Sequence, residues 1–142
     1  METYSYHLAM IKEQSIEYDK SVCSSETAAN LIKQYIGSSD RENLVVLALN
    51  IKNDITGIHT VSIGSLNEST GHPREVFKFA ILANAAHIIL GHNHPSGHIE
   101  PSGADIQFTH KIEDAGRLIG IELLDHIIIG DGYYSMKSHG DI

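Results

Sequence analysis

Two histidines and an aspartate lie close together in the segment from His92 to Asp105, and their types suit a metal site. This segment follows an apolar run, residues 85–90, that predicts a buried strand. Because side chains alternate between the faces of a strand, His92 and His94 should point to the same side. Ten residues separate His94 from Asp105, enough for a loop that folds back and supplies a third ligand. Two imidazoles and one carboxylate form a catalytic type of zinc set, which leaves the fourth tetrahedral position to water.

The residues between these candidate ligands favour the same arrangement. Pro95 ends the ladder of the strand just after His94, since proline cannot donate a backbone hydrogen bond. Ser102 is the predicted N-cap of a helix that carries Asp105 in its first turn. A lone H-x-H also occurs in surface loops, and an acid in a first turn also suits the helix dipole. The combination of H-x-H-P with S-x-x-D is much more specific and favours a metal site.

The length and composition of the chain limit the classes of protein to which it can belong. With 142 residues and 42% hydrophobic residues, the chain fits one globular domain with one core. The formal net charge of -8 argues against a nucleic-acid binder, which usually carries a basic patch. No apolar run approaches the ~20 residues of a membrane span, and no secretion signal is evident at the N-terminus. The single cysteine, Cys23, cannot form an internal disulfide, which fits a cytoplasmic protein.

Hydrophobic periodicity predicts a mixed sheet with about three helices, an α/β or α+β fold. The helices are expected to begin near Ser24, at Pro73 and after Ser102, and Gly116 and Gly120 are expected to end the third. The predicted strands cover residues 44–49, 58–64, 85–90, 121–129 and 133–136, and residues 67–71 are predicted to form a loop.

An N-terminal segment is predicted to precede the main domain. Residues 1–24 are expected to form an extension or an edge strand, because the large apolar side chains Tyr4, Tyr6, Leu8 and Met10 occur at every second position. The domain itself is expected to cover residues 25–142.

The stretch from about Ser38 to Met136 resembles the RadC-type JAB/MPN domain of the JAMM metalloprotease superfamily. The matching pieces occur in the order of that family: 40–43 (DREN), 72–75 (HPRE), 92–97 (HNHPSG), 101–105 (PSGAD) and 124–129 (LDHIII). The resemblance implies a cytidine-deaminase-like α+β sandwich. It also implies a zinc-activated water that attacks an amide or isopeptide bond beside an acidic residue.

The resemblance also assigns roles to particular residues. His92, His94 and Asp105 match the metal ligands, and Ser102 matches the serine that helps to hold the oxyanion. Glu42 matches the glutamate that precedes the first core strand and acts as general acid and base. Glu75 is the alternative for that role, since it too precedes the ligand strand, although an acid in a first helical turn also suits the helix dipole.

Three functions are consistent with the sequence. The favoured one is a zinc-dependent metallopeptidase or isopeptidase that acts on a peptide, an isopeptide or a protein conjugate. The alternatives are a DNA-repair-associated RadC-like factor, as the traditional family name suggests, and a non-catalytic MPN scaffold. The substrate and the oligomeric state stay open, and manganese or nickel could replace zinc in such a ligand set.

Two residues of the last matching piece are candidates for a supporting role. Asp125 and His126, before an apolar strand, could form a carboxylate–imidazole pair behind the metal ligands, with a structural turn as the alternative.

Overall fold

The structure, a computed structural model, describes residues 1–19, 24–64 and 72–142. Three helices and five strands occur within these ranges. In chain order they are α1 (Ser25–Ile36), β1 (Asn43–Leu49), β2 (Ile55–Ile63), α2 (Pro73–Leu82), β3 (His87–Asn93), α3 (Gly103–Ile119), β4 (Glu122–Gly130) and β5 (Gly132–Ser135). The predicted mixed sheet with three helices is therefore confirmed.

The strands form one sheet in the order β2-β1-β3-β4-β5. β1 is antiparallel to both β2 and β3, whereas β3 and β4 are parallel, and β5 returns antiparallel to β4. A parallel pair needs a long crossover connection, and α3 supplies it between β3 and β4. The end of β3 and the beginning of α3 therefore lie at the same edge of the sheet.

Both faces of the sheet are buried under helices, which explains the nearly continuous apolar runs in the central strands. On one face, α2 and α3 pack on side chains that include Leu44, Ile88 and Leu90. On the other face, α1 packs on side chains that include Val45 and Ile127. His92 follows Leu90 by two residues, so strand alternation places His92 on the α2/α3 face.

The helix starts agree with the sequence, but the end of α3 does not. Ser102 caps α3 in a capping box with Asp105, and Gly120 ends the helix in the left-handed conformation. Gly116 was predicted to contribute to this end, but it is a buried interior residue of α3. A side chain at Gly116 would overlap the carbonyl oxygen of Ile121, so its role is close packing. Of the described helices, none has the length and apolarity that a membrane span requires.

The described part of the N-terminal segment, residues 1–19, forms no edge strand. Residues 1–19 contain neither helix nor strand, and Tyr4, Tyr6 and Leu8 are exposed. An alternating pattern does not produce a strand unless one face is buried, and nothing buries these side chains. The boundary of the domain at residue 25 stays a prediction, and Cys23 and residues 67–71 lie outside the described residues.

Candidate metal centre

All three predicted ligands meet at the edge where β3 ends and α3 begins. Nε2 of His92 lies 2.9 Å from Nε2 of His94, and both face Oδ2 of Asp105, at 3.5 and 3.3 Å respectively. The cluster is largely removed from water, since His92 is 2% exposed and Asp105 is 6% exposed. These three residues could therefore hold one metal ion, as their sequence spacing predicts.

The donor atoms themselves fit a small divalent cation. Nδ1 of His94 lies 2.9 Å from the carbonyl oxygen of His98. A carbonyl oxygen can only accept, so neutral His94 carries its proton on Nδ1 and presents a lone pair at Nε2. That lone pair faces the Asp105 carboxylate. Ligands at about 2.1 Å in a tetrahedral site lie roughly 3.4 Å apart, close to two of the three separations found here.

Asp105 is held in place by the start of its own helix. Its amide donates to the Ser102 hydroxyl at 3.0 Å, and its Oδ2 accepts from the Ser102 amide at 2.9 Å. Burial opposes ionisation of this carboxyl. Hydrogen bonding and charge interaction with His92, together with the two Ser102 hydrogen bonds, outweigh burial and lower the pKa of Asp105. Asp105 is therefore an anion, as a ligand to a cation must be.

A bulge in β4 brings His126 to the same site. Ile88 pairs with Leu123, but the next residue of β3, Ile89, pairs with Asp125, so Leu124 is an extra residue. A bulge changes which residues face each side of the sheet. It places His126 opposite Leu90, on the face of the metal ligands.

The bulge separates the predicted pair of Asp125 and His126. Asp125 faces away from the metal ligands and accepts hydrogen bonds from the His126 amide, the Ser135 hydroxyl and the Lys137 amide. The imidazole of His126 is buried, and Nε2 lies 2.7 Å from Nδ1 of His92. Of the predicted supporting pair, His126 therefore lies beside the candidate metal ligands, whereas Asp125 stabilises the turn after β5.

Thr109 also belongs to this cluster, and sequence reasoning missed it. Its hydroxyl donates to the Asp105 carbonyl oxygen at 2.7 Å and lies 2.6 Å from Nδ1 of His126. Burial, followed by the charge interaction with His92, lowers the pKa of His126 well below its usual value, so the ring is neutral. A signal was present, because Thr109 is a polar residue in the stripe of α3 that also carries Asp105, Ile112 and Gly116.

Glu42 precedes β1, which pairs with the ligand strand. Leu44 is the partner of His92 in the antiparallel register. If this register is continued by two residues, Glu42 falls opposite His94 and on the same face. The Asn93 side chain fixes the backbone on both sides of Glu42, since it accepts from the Asn43 amide at 2.7 Å and donates to the Arg41 carbonyl at 2.9 Å.

Glu75, the alternative acid, lies in the first turn of α2 and forms ion pairs there. Its carboxylate is 2.7 Å from the Lys78 ammonium and 4.0 Å from Arg74. The hydrogen bond and the charge of Lys78 lower the pKa of Glu75. This carboxylate therefore has the surface role that an acid in a first turn ordinarily has.

The sheet order, the three helices and a His-x-His pair facing an aspartate define an α+β fold consistent with the JAB/MPN class. The sequence narrows this class further, because residues 22–141 match the family described as the RadC-like JAB domain. The chain belongs to this family, as the resemblance predicts.

Several bacterial proteins named UPF0758 are similar to the chain. A relative from Rubrobacter xylanophilus is 50% identical over 119 residues, and one from Clostridium acetobutylicum is 51% identical over 120 residues. Both alignments cover 84% of this chain and 52% of the relative. A relative from Enterococcus faecalis is 45% identical over 127 residues, or 89% of this chain and 54% of the relative. The chain thus spans about half the length of these relatives.

Proposed function

We propose that the chain is a zinc-dependent hydrolase of the JAMM type, a metallopeptidase or isopeptidase. The observation that carries this proposal is the convergence of His92, His94 and Asp105 on one point at the edge of the sheet. Three protein ligands leave a tetrahedral cation one position for water or substrate, which is typical of catalytic rather than structural zinc sites.

The proposed reaction hydrolyses an amide to a carboxylate and an amine. Zinc, when bound, acts as a Lewis acid and lowers the pKa of water toward ~7. The Glu42 carboxylate accepts a proton from the attacking water and later gives it to the leaving amine. The Ser102 hydroxyl uses a lone pair to cap α3, so its hydrogen is available to the developing oxyanion.

Two observations favour Glu42 over Glu75 as the acid and base. The β1–β3 register and the Asn93 hydrogen bonds support a position for Glu42 beside His94. Glu75 pairs with Lys78, and its lowered pKa moves it away from the range near neutrality that suits a general base.

The proposed substrate is a peptide or an isopeptide, including protein conjugates, and the proposed location is the cytoplasm. The net charge of -8 gives no support to duplex DNA as the partner of this chain alone. The relatives are about twice as long as the aligned region. The hydrolase activity is therefore proposed for the region that aligns with this chain, and its extension to a whole protein of this family is part of the same proposal.

Metal stoichiometry and turnover together test the proposal. Elemental analysis after zinc loading and dialysis should give one zinc per chain for the wild type and none for His94→Ala. Glu42→Gln should keep the metal and lower kcat by about 10²–10⁴-fold on a panel of fluorogenic peptides and isopeptides, because it removes a general base. Glu75→Gln is the matched control and should keep both zinc and turnover.

Each alternative has its own signature in this experiment. Unchanged turnover in Glu42→Gln would exclude Glu42 as the base, and a loss in Glu75→Gln would transfer the role. A zinc-loaded wild type that cleaves nothing in the panel would favour the non-catalytic scaffold. A wild type that binds no zinc would overturn the proposal as a whole.

A further inference from the structure

A chain of buried hydrogen bonds begins at one candidate ligand and ends at another. From Nδ1 of His92 it runs 2.7 Å to Nε2 of His126, and from Nδ1 of His126 it runs 2.6 Å to the Thr109 hydroxyl. The Thr109 hydroxyl is also 2.7 Å from the carbonyl oxygen of Asp105. His92, His126, Thr109 and Asp105 are all buried, so water does not compete for these contacts.

The direction of every bond in this chain follows from its Asp105 end. A carbonyl oxygen only accepts, so the single hydroxyl hydrogen of Thr109 is donated to it. The Thr109 oxygen must then accept from Nδ1–H of His126. A neutral imidazole has one N–H, so Nε2 of His126 carries a lone pair and accepts from Nδ1–H of His92. Nδ1 of His92 therefore carries a proton, and Nε2 of His92 faces Nε2 of His94 at 2.9 Å and Oδ2 of Asp105 at 3.5 Å, so a cation or a shared proton has to lie between these three atoms.

We propose that Thr109 and His126 are positioning residues that fix His92 in the tautomer whose Nε2 can bind the cation. The inference deepens the proposed function, because the consequence for metal binding rests on that proposal. The position of the proton on His92 can be measured in the metal-free protein. His94 needs no such arrangement, since one backbone carbonyl sets its tautomer directly. The partners of a metal-binding histidine commonly orient the ring and select its tautomer in this way.

A purely structural role for Thr109 would use only one of its two contacts. Threonine within a helix often donates to the carbonyl four residues earlier, and this bond alone has no consequence for a metal. The second contact, between Thr109 and His126, determines which nitrogen of His126 carries the proton and therefore which nitrogen of His92 donates to His126. A decisive test therefore has to measure the tautomers themselves as well as stability.

The test uses ¹⁵N-labelled histidine in the zinc-free protein at a pH of about 8, where ordinary imidazoles are neutral. Long-range ¹H–¹⁵N NMR spectra identify which ring nitrogen carries the proton. In the wild type, His92, His94 and His126 should all be protonated on Nδ1. Thr109→Ser keeps the hydroxyl and should keep this pattern.

Thr109→Val has nearly the same shape but no acceptor, so Nδ1–H of His126 would be buried without a partner. His126 should then move its proton to Nε2, and His92 should move its own proton to Nε2, while His94 keeps its tautomer. Zinc affinity, measured by competition with a chelator, should fall about 10–100-fold in Thr109→Val and stay close to the wild type in Thr109→Ser.

Two results would overturn the inference. One is a wild-type spectrum in which Nδ1 of His92 carries no proton, a measurement that requires no variant to fold. The other is a folded Thr109→Val protein with unchanged tautomers and unchanged zinc affinity. Failure of the proposed hydrolase is distinguishable, since a protein with the expected tautomers and zinc affinity but no amide hydrolysis would refute only the activity.

Discussion

Ser102 and Asp105 each have two functions at the start of α3. Together they form the capping box of the helix, and Asp105 also faces the two imidazoles. The cap determines where the Asp105 carboxylate lies, so helix stability and the geometry of the candidate metal site depend on the same two side chains. The proposed oxyanion contact adds a third role, for the hydroxyl hydrogen of Ser102.

Two substitutions at Ser102 should separate these roles. Ser102→Ala should lower the free energy of unfolding of the zinc-free protein by about 1 kcal/mol, because alanine cannot cap. Ser102→Gly should cost only a few tenths of a kcal/mol, because glycine is a tolerated N-cap. Both lack a hydroxyl, so both should lower kcat by about 10²–10³-fold if Ser102 stabilises the oxyanion.

Urea unfolding and turnover of the two Ser102 variants provide the comparison. A glycine variant that recovers activity along with stability would mean that Ser102 acts only through the helix cap. Equal stabilities of the wild type and Ser102→Ala would mean that the cap contributes nothing measurable.

The convergence of the candidate metal ligands could be predicted from sequence because their geometry is local. His92 and His94 share a strand face through simple alternation, and Asp105 follows from the N-cap signal of Ser102. Which residues support these ligands depends on a β-bulge in β4, which could not be predicted from the sequence. The bulge at Leu124 decides that His126, rather than Asp125, lies beside His92, and a bulge has no reliable signal in an apolar strand.

Packing between elements also explains why α3 continues through a glycine. A Cβ at Gly116 would overlap the backbone oxygen of Ile121 and come within 3.4 Å of the Phe77 ring. The end of α3 can therefore lie close to the start of β4 only without a side chain at this position. Local preference predicts a helix end at Gly116, whereas tertiary packing requires glycine inside the helix.

Gly116→Ala should therefore destabilise the protein although alanine favours helices. Propensity alone would stabilise the helix by about 1 kcal/mol, but overpacking against a backbone atom typically costs about 1–3 kcal/mol. Gly103→Ala is the matched control in the same helix, since a Cβ there meets nothing within 4 Å. Urea unfolding should give a loss for Gly116→Ala and no loss for Gly103→Ala, and equal gains in both would refute the packing argument.

At the scale of the whole molecule, the sequence predicts the elements but not their order in the sheet. The short apolar runs indicate five strands, and alternation in residues 1–24 suggests a sixth that does not form in the part that the structure describes. The position of β3 between β1 and β4 depends on pairing between residues that are distant in sequence, and local hydrophobic patterns do not predict such pairing. This position pairs Leu44 of β1, two residues after Glu42, with His92.

The described N-terminal segment should stabilise the domain through Tyr18 rather than through its exposed residues. The Tyr18 hydroxyl donates to the Ile55 carbonyl and accepts from the Ile55 amide, both at 3.1 Å, at the start of the edge strand β2. Residues 1–15 are exposed. Tyr18→Phe should therefore lower the free energy of unfolding by about 0.5–1.5 kcal/mol with an unchanged urea m-value. Deletion of residues 1–15 should change it by less than about 0.5 kcal/mol. The opposite ranking of the two variants would mean that the exposed residues stabilise the domain and that the Tyr18 hydrogen bonds do not.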